Sequence, residues 1–117
     1  MNGAGRPMNL EGAAHTLPAS MGGNKTPIID ERALQEGGEN WFETYHRRLI
    51  AGETAPTSEN VPDTLRRLTV KEAALLQTFP DGYKFMGPKT AQYKQIGNAV
   101  ACNFARAIGE SVAELLL

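Results

Sequence analysis

Apolar residues recur every third or fourth position over three stretches of the chain, and each stretch carries its own start signal. In the last, Ile96, Val100, Phe104, Ile108 and Val112 stand four apart and Leu115 continues the stripe, which predicts a helix over residues 99–116. Gly97-Asn98 reads as the turn before it, with Asn98 as N-cap, and Arg106, Glu110 and Glu114 fall off the stripe. In the middle stretch, Thr69 and Glu72 form a T-x-x-E capping box, in which each side chain takes up a backbone N–H left without a helical partner. Leu68 precedes the cap and is placed to pack on Ala73, while Phe79-Pro80-Asp81-Gly82 ends the helix. A polar loop is expected from there to Gly97-Asn98. Further upstream, Asn40 caps a helix from Trp41 to about Ala51, with Trp41, Tyr45 and Leu49 on one face and Phe42 beside them. Glu31–Gln35 reads as a short helix stopped by Gly37-Gly38.

The β signal is weaker and lies near the N-terminus. His15–Ser20 and Thr26–Asp30 read as short strands, with Met21–Lys25 as the turn between them, where Gly22 and Gly23 permit positive φ. Residues 1–14 show no period and predict an irregular, mobile start. Gly52–Asp63, containing Pro, Ser and Thr, reads as a linker and an internal boundary, dividing residues 1–62 from 63–117. The pattern as a whole predicts an α+β chain, mainly helical toward the C-terminus, with a small β element near the start.

At 117 residues the chain supports one modest domain, and a net charge of −1 gives no global attraction to nucleic acid, so any DNA contact has to come from a local patch. One cysteine excludes an internal disulfide and suits a reducing cytoplasm. No apolar run approaches the roughly 20 residues needed to span a bilayer, and the basic-then-apolar order of a signal peptide is missing. His15 and His46 have no ligand-spaced partners, so no metal site is expected. The Trp41 stripe reads as a core-facing side, His46-Arg47-Arg48 as a solvated basic face, and Cys102 as a packing thiol in a largely apolar helix.

Two blocks then stand out. Leu68-Thr69-Val70-Lys71-Glu72-Ala73-Ala74-Leu75-Leu76-Gln77-Thr78-Phe79-Pro80-Asp81 is followed by Gln92-Tyr93-Lys94-Gln95-Ile96-Gly97-Asn98-Ala99-Val100. In order and spacing they resemble the last two conserved motifs of the DNA cytosine-5 methyltransferases. Ala14–Gly23 is similar to the Thr-Leu pair and Gly-rich loop of that family's target-recognition region, and the resemblance runs over residues 5–30 and 63–115. There are departures. Ala101-Cys102-Asn103 replaces prolines common in the family, and Ala74 or Leu75 stands where an Arg is usual.

The resemblance implies a DNA-binding set of Thr16, Gly22, Gly23, Asn24, Lys25 and Thr26, in which glycines let the main chain approach bases and the polar residues supply donors. It also implies that Asn98, Ala99 and Val100 line the methionine end of an S-adenosylmethionine pocket, where a helix N-terminus suits the cofactor carboxylate. Ala99 stands where relatives often have Ser, so one hydroxyl contact is lost. Glu72 reads as a cap and Asp81 as a turn residue. The family's chemistry uses a Cys nucleophile in Pro-Cys, an acid in Glu-Asn-Val and a cofactor loop F-x-G-x-G. This chain is read as lacking all three, so no catalytic residue is assigned. The implied partners are double-stranded DNA and a catalytic N-terminal part or subunit, with a homodimer through the last helix as another way to cover its apolar stripe. A piece of a longer enzyme, the small subunit of a split one, and a DNA-binding remnant without catalysis all remain open.

Overall fold

The computed structural model describes residues 6–57 and 60–117. The elements are β1 (Ile28–Asp30), α1 (Glu31–Glu36), α2 (Trp41–Ile50), β2 (Leu65–Arg67), α3 (Val70–Leu76), α4 (Lys89–Asn98) and α5 (Cys102–Leu116), an α+β set with one two-stranded sheet. They are divided between two compact units. One comprises the chain up to His15 with Asn24–Leu68, and the other Thr16–Gly23 with Thr69–Leu117.

In the first unit, β1 pairs antiparallel with β2, Ile29 opposite Arg66. The expected partner strand at His15–Ser20 does not form. Pro18 has no N–H to give a ladder, and β1 instead takes its partner from a segment distant in sequence. Part of the irregular start is also corrected. The N–H of Met8 donates to Ile28 O at 2.8 Å and that of Ile28 to Arg6 O at 2.9 Å, so residues 6–8 line the other edge of β1 and Met8 is buried. Residues 1–5 lie outside the described residues, as do residues 58–59 of the expected linker.

Asp30, the last residue of β1, organises the two helices after it. Its side chain is fully buried, and Oδ1 accepts from the Ala33 N–H at 3.3 Å, which caps α1. Oδ2 accepts from the Trp41 N–H at 3.0 Å, the first residue of α2, and the Thr64 hydroxyl donates to Oδ1 at 3.3 Å. Gly37, at φ 75°, stops α1, and Asn40 caps α2 through the Phe42 N–H, both as the sequence predicts. Trp41 and Tyr45 stack at 4.7 Å, but the α2 stripe is only half-buried, so it does not make a full core face. His46, Arg47 and Arg48 are exposed, and Arg47 pairs with Glu39.

In the second unit, the Thr69–Glu72 capping box forms in full. α3 ends at Leu76, earlier than the Phe-Pro block. Thr78 adopts φ 57°, its N–H donates to Leu75 O and that of Phe79 to Ala74 O, which is a Schellman turn with threonine in the place glycine usually takes. The Pro80–Tyr83 turn comes next, with Gly82 at φ 79°. The expected polar loop is in its second half α4, whose Tyr93 and Ile96 are buried three apart on one face. Burial and then the negative charge of Glu72 push the Tyr93 phenol above its usual range, so it stays neutral. α5 leaves Phe104, Ile108, Val112 and Leu115 exposed, Phe104 to 62%. From Phe104 to Leu115 the apolar stripe read from the sequence is therefore present, and it is exposed among the described residues.

Candidate functional site

The segment joining α4 to α5 differs from the sequence reading in one decisive respect. Gly97-Asn98 is no turn, and Asn98 caps nothing at the start of α5: it is the last residue of α4, and α5 begins at Cys102 behind Ala101 without a side-chain cap. Ile96, expected on the α5 stripe, belongs to α4 and is fully buried. The physical reason lies at Gly97. A Cβ there would stand 2.4 Å from the Pro18 carbonyl oxygen and 2.7 Å from Ala19 Cα, so the glycine serves close backbone approach within a helix and not a reversal.

The joint is held by Gln77, which the sequence reading passed over. Its Nε2 donates to Ile96 O and to Ala99 O, each at 3.0 Å, and its backbone carbonyl accepts from the Cys102 N–H at 3.0 Å. Next to it, Thr78 Oγ1 accepts from the Asn103 N–H at 2.9 Å. Asn98 is exposed, Ala99 half-buried and extended, and Val100 58% exposed. The three thus present one amide and one isopropyl group on a backbone fixed from behind. Two of the first N–H groups of α5 already donate within the chain, so the anion-binding helix start expected from the sequence is in large part occupied.

The six residues assigned to DNA are divided between the two units: Thr16, Gly22 and Gly23 in one, Asn24, Lys25 and Thr26 in the other. Thr16, Gly23, Asn24 and Lys25 are exposed. Gly22, at φ 111°, would bring a Cβ within 3.1 Å of Thr90 Cα. Thr26 is only 2% exposed. Arg67 Nη1 donates to Thr26 O at 2.8 Å and to Asn24 O at 3.1 Å, clasping the main chain of this loop from β2. Replacing Arg67 with alanine is expected to loosen residues 24–26, read as faster amide exchange there and faster tryptic cleavage after Lys25, with α2 unaffected. Unchanged exchange would show that the loop holds itself.

No described group is poised for covalent chemistry. Cys102 is half-buried at the first turn of α5, Glu72 is engaged in its cap and Asp81 lies exposed in a turn. Pro-Cys and F-x-G-x-G do not occur in the chain, but the reading that Glu-Asn-Val is missing needs correction, because Glu59-Asn60-Val61 spells it. Asn60 is exposed at φ 59° and Glu59 lies outside the described residues, so the tripeptide gains no role from its letters. Among the described residues no cluster of His, Cys, Asp and Glu could hold a metal ion, and no helix is long and apolar enough to cross a membrane. A groove of about 400 Å³ runs along α3, lined in part by Ala74 and by Phe79, Tyr83 and Phe85, whose ring centroids lie 4.9–5.0 Å apart.

A capped α3, a close-packed α4 and a braced α4–α5 joint make up a helical unit whose ends are fastened by hydrogen bonds from Gln77 and Thr78. The C-5 cytosine-specific DNA methylase family model matches residues 11–114, and the chain belongs to that family. It is 43% identical over 96 residues to the type II methyltransferase M.Eco47II of Escherichia coli, covering 82% of this chain and 21% of that relative. It is 49% identical over 96 residues to M.PspPI of a Psychrobacter species, again 82% and 21%. To the DNA (cytosine-5)-methyltransferase CMT3 of Arabidopsis thaliana it is 30% identical over 114 residues, 92% of this chain and 14% of the relative. The chain thus spans about a fifth or less of the length of these relatives. No solved structure matches it.

The family implies S-adenosylmethionine as methyl donor. The exposed amide of Asn98 and side chain of Val100 fit one side of such a ligand, which has both polar and apolar parts.

Proposed function

We propose that this chain is the C-terminal portion of a DNA cytosine-5 methyltransferase, contributing target recognition and one wall of the S-adenosylmethionine pocket, and inactive by itself. The observation that carries this is the match to nearly the whole chain from only about a fifth of its bacterial relatives. The exposed apolar face of α5 supports it, since a stripe containing Phe104, Ile108, Val112 and Leu115 needs a cover, either the catalytic portion or a second copy of this chain. In this reading residues 1–62 hold the partial recognition region and linker, and 63–117 the closing motifs. Double-stranded DNA meets the loop from Gly22 to Thr26, with Thr16 near its backbone, and Asn98, Ala99 and Val100 meet the cofactor. When bound, S-adenosylmethionine supplies the methyl group. This chain's own part is to bind and orient. A small subunit of a split enzyme would have the same biochemistry. A DNA-binding remnant is the alternative, and the net charge of −1 speaks against it because non-specific DNA affinity comes from cationic contacts to phosphate.

The test is methyl transfer from labelled S-adenosylmethionine to cytosine-containing duplex DNA, comparing this chain alone with the chain plus a catalytic portion carrying Pro-Cys and Glu-Asn-Val. Transfer is expected only in the mixture. A mixture that stays inactive while the chain alone binds DNA would replace this reading with the remnant.

A further inference from the structure

We infer that Gln77 is a positioning residue for S-adenosylmethionine, holding the Asn98–Val100 segment in the shape that meets the cofactor. The inference rests on the assignment of that segment to the cofactor pocket proposed above. One carboxamide has two N–H donors, and Gln77 directs its Nε2 to two carbonyls three residues apart, Ile96 O and Ala99 O. Ile96 O lies in the last turn of α4, where it also accepts from the Ala99 N–H at 3.2 Å, and Ala99 O lies just past the helix end. The Gln77 backbone carbonyl meanwhile takes the first N–H of α5, so one residue fastens both sides of the Ala99–Ala101 joint.

Gln77 is itself held on both sides. Its N–H donates to Ala73 O at 3.1 Å as the C-cap of α3, and the next residue, Thr78, is kept in the left-handed region. A β-branched residue in that region is strained and persists only where surrounding contacts over-determine it. Here the compensation is visible: the Thr78 hydroxyl takes the Asn103 N–H. The two residues that follow α3 thus grip the joint, while Asn98 and Val100 stay exposed.

Gln77→Glu keeps the size of the side chain, removes both donors and sets a carboxylate against two carbonyl oxygens. Gln77→Leu removes the hydrogen bonds without adding charge. Both would be measured with the catalytic portion present, by calorimetric binding of S-adenosylhomocysteine and by steady-state kinetics in each substrate. Loss of the two bonds is expected to weaken cofactor binding and raise its KM by about tenfold, with Gln77→Glu the worse, while KM for DNA stays within about twofold. Wild-type cofactor affinity in Gln77→Leu would overturn the inference and leave the proposed function standing. So would an equal rise in both KM values, because that is the mark of general loosening. A wild-type mixture that binds no cofactor would overturn the pocket assignment, and the cofactor role of Gln77 with it.

Discussion

Replacing Asp30 with alanine is expected to cost on the order of 2–4 kcal/mol in unfolding free energy, because three buried or half-buried donors lose their acceptor together. They are the N–H of Ala33, the N–H of Trp41 and the hydroxyl of Thr64, which tie α1, α2 and the approach to β2 to one carboxylate. Asp30→Asn should also destabilise, since one of its two oxygens becomes an NH₂ group facing a donor. Burial pushes the Asp30 carboxyl upward, but the backbone N–H groups of Trp41 and Ala33, the Arg32 guanidinium and the Thr64 hydroxyl outweigh it and hold the group below its ordinary value of 3.8. The sign comes from linkage. A depressed carboxylate adds stability that is present above its unfolded value and is lost as pH falls through the folded one. Urea unfolding should therefore give a Cm that is flat near neutrality and declines below about pH 4, with a shallower decline in Asp30→Asn. Either variant lying within about 0.5 kcal/mol of the wild type at neutral pH would show that the carboxylate does not organise this unit.

Replacing Gly97 with alanine is the second large effect, and its sign is informative. Within a helix alanine is favoured over glycine by about 1 kcal/mol, so an unobstructed site would be stabilised. At Gly97 the added methyl meets the Pro18 carbonyl and Ala19 Cα, which are backbone and cannot swing aside. A net loss of roughly 1–3 kcal/mol is expected. Gly109, inside α5, is the control: nothing lies within 4 Å of the place an added methyl would take, and Gly109→Ala should stabilise by about 0.5–1 kcal/mol. Thermal unfolding of the two variants should move the midpoint in opposite directions. A rise in both would show that the Thr16–Gly23 segment gives way at little cost.

The helix starts at Thr69 and Asn40 were legible because capping is local: the side chain and the N–H it satisfies lie within three residues. The apolar stripe of α5 was legible from its spacing alone. α4 was not, because Gly97-Asn98 carries strong turn chemistry and only a distant contact with Pro18 explains a glycine inside a helix. Similarly, β1 was found but its partner was not, since nothing local marks Leu65–Arg67 as the strand that meets Ile28–Asp30. Of the candidate site, the segments were legible by resemblance. The side chains that hold them, Gln77 behind Asn98–Val100 and Arg67 behind Asn24–Thr26, were not, because each acts on carbonyls of residues far along the chain.

What the sequence determined by itself is therefore the family, the capped helices and the exposed apolar stripe, all of which rest on patterns within a few residues or on motif letters. What only the tertiary structure decided is where Asn98 stands, why Gly97 is glycine, and that Asp30 joins two helices and a strand. Those depend on close approach and hydrogen bonding between segments that the order of residues does not bring together.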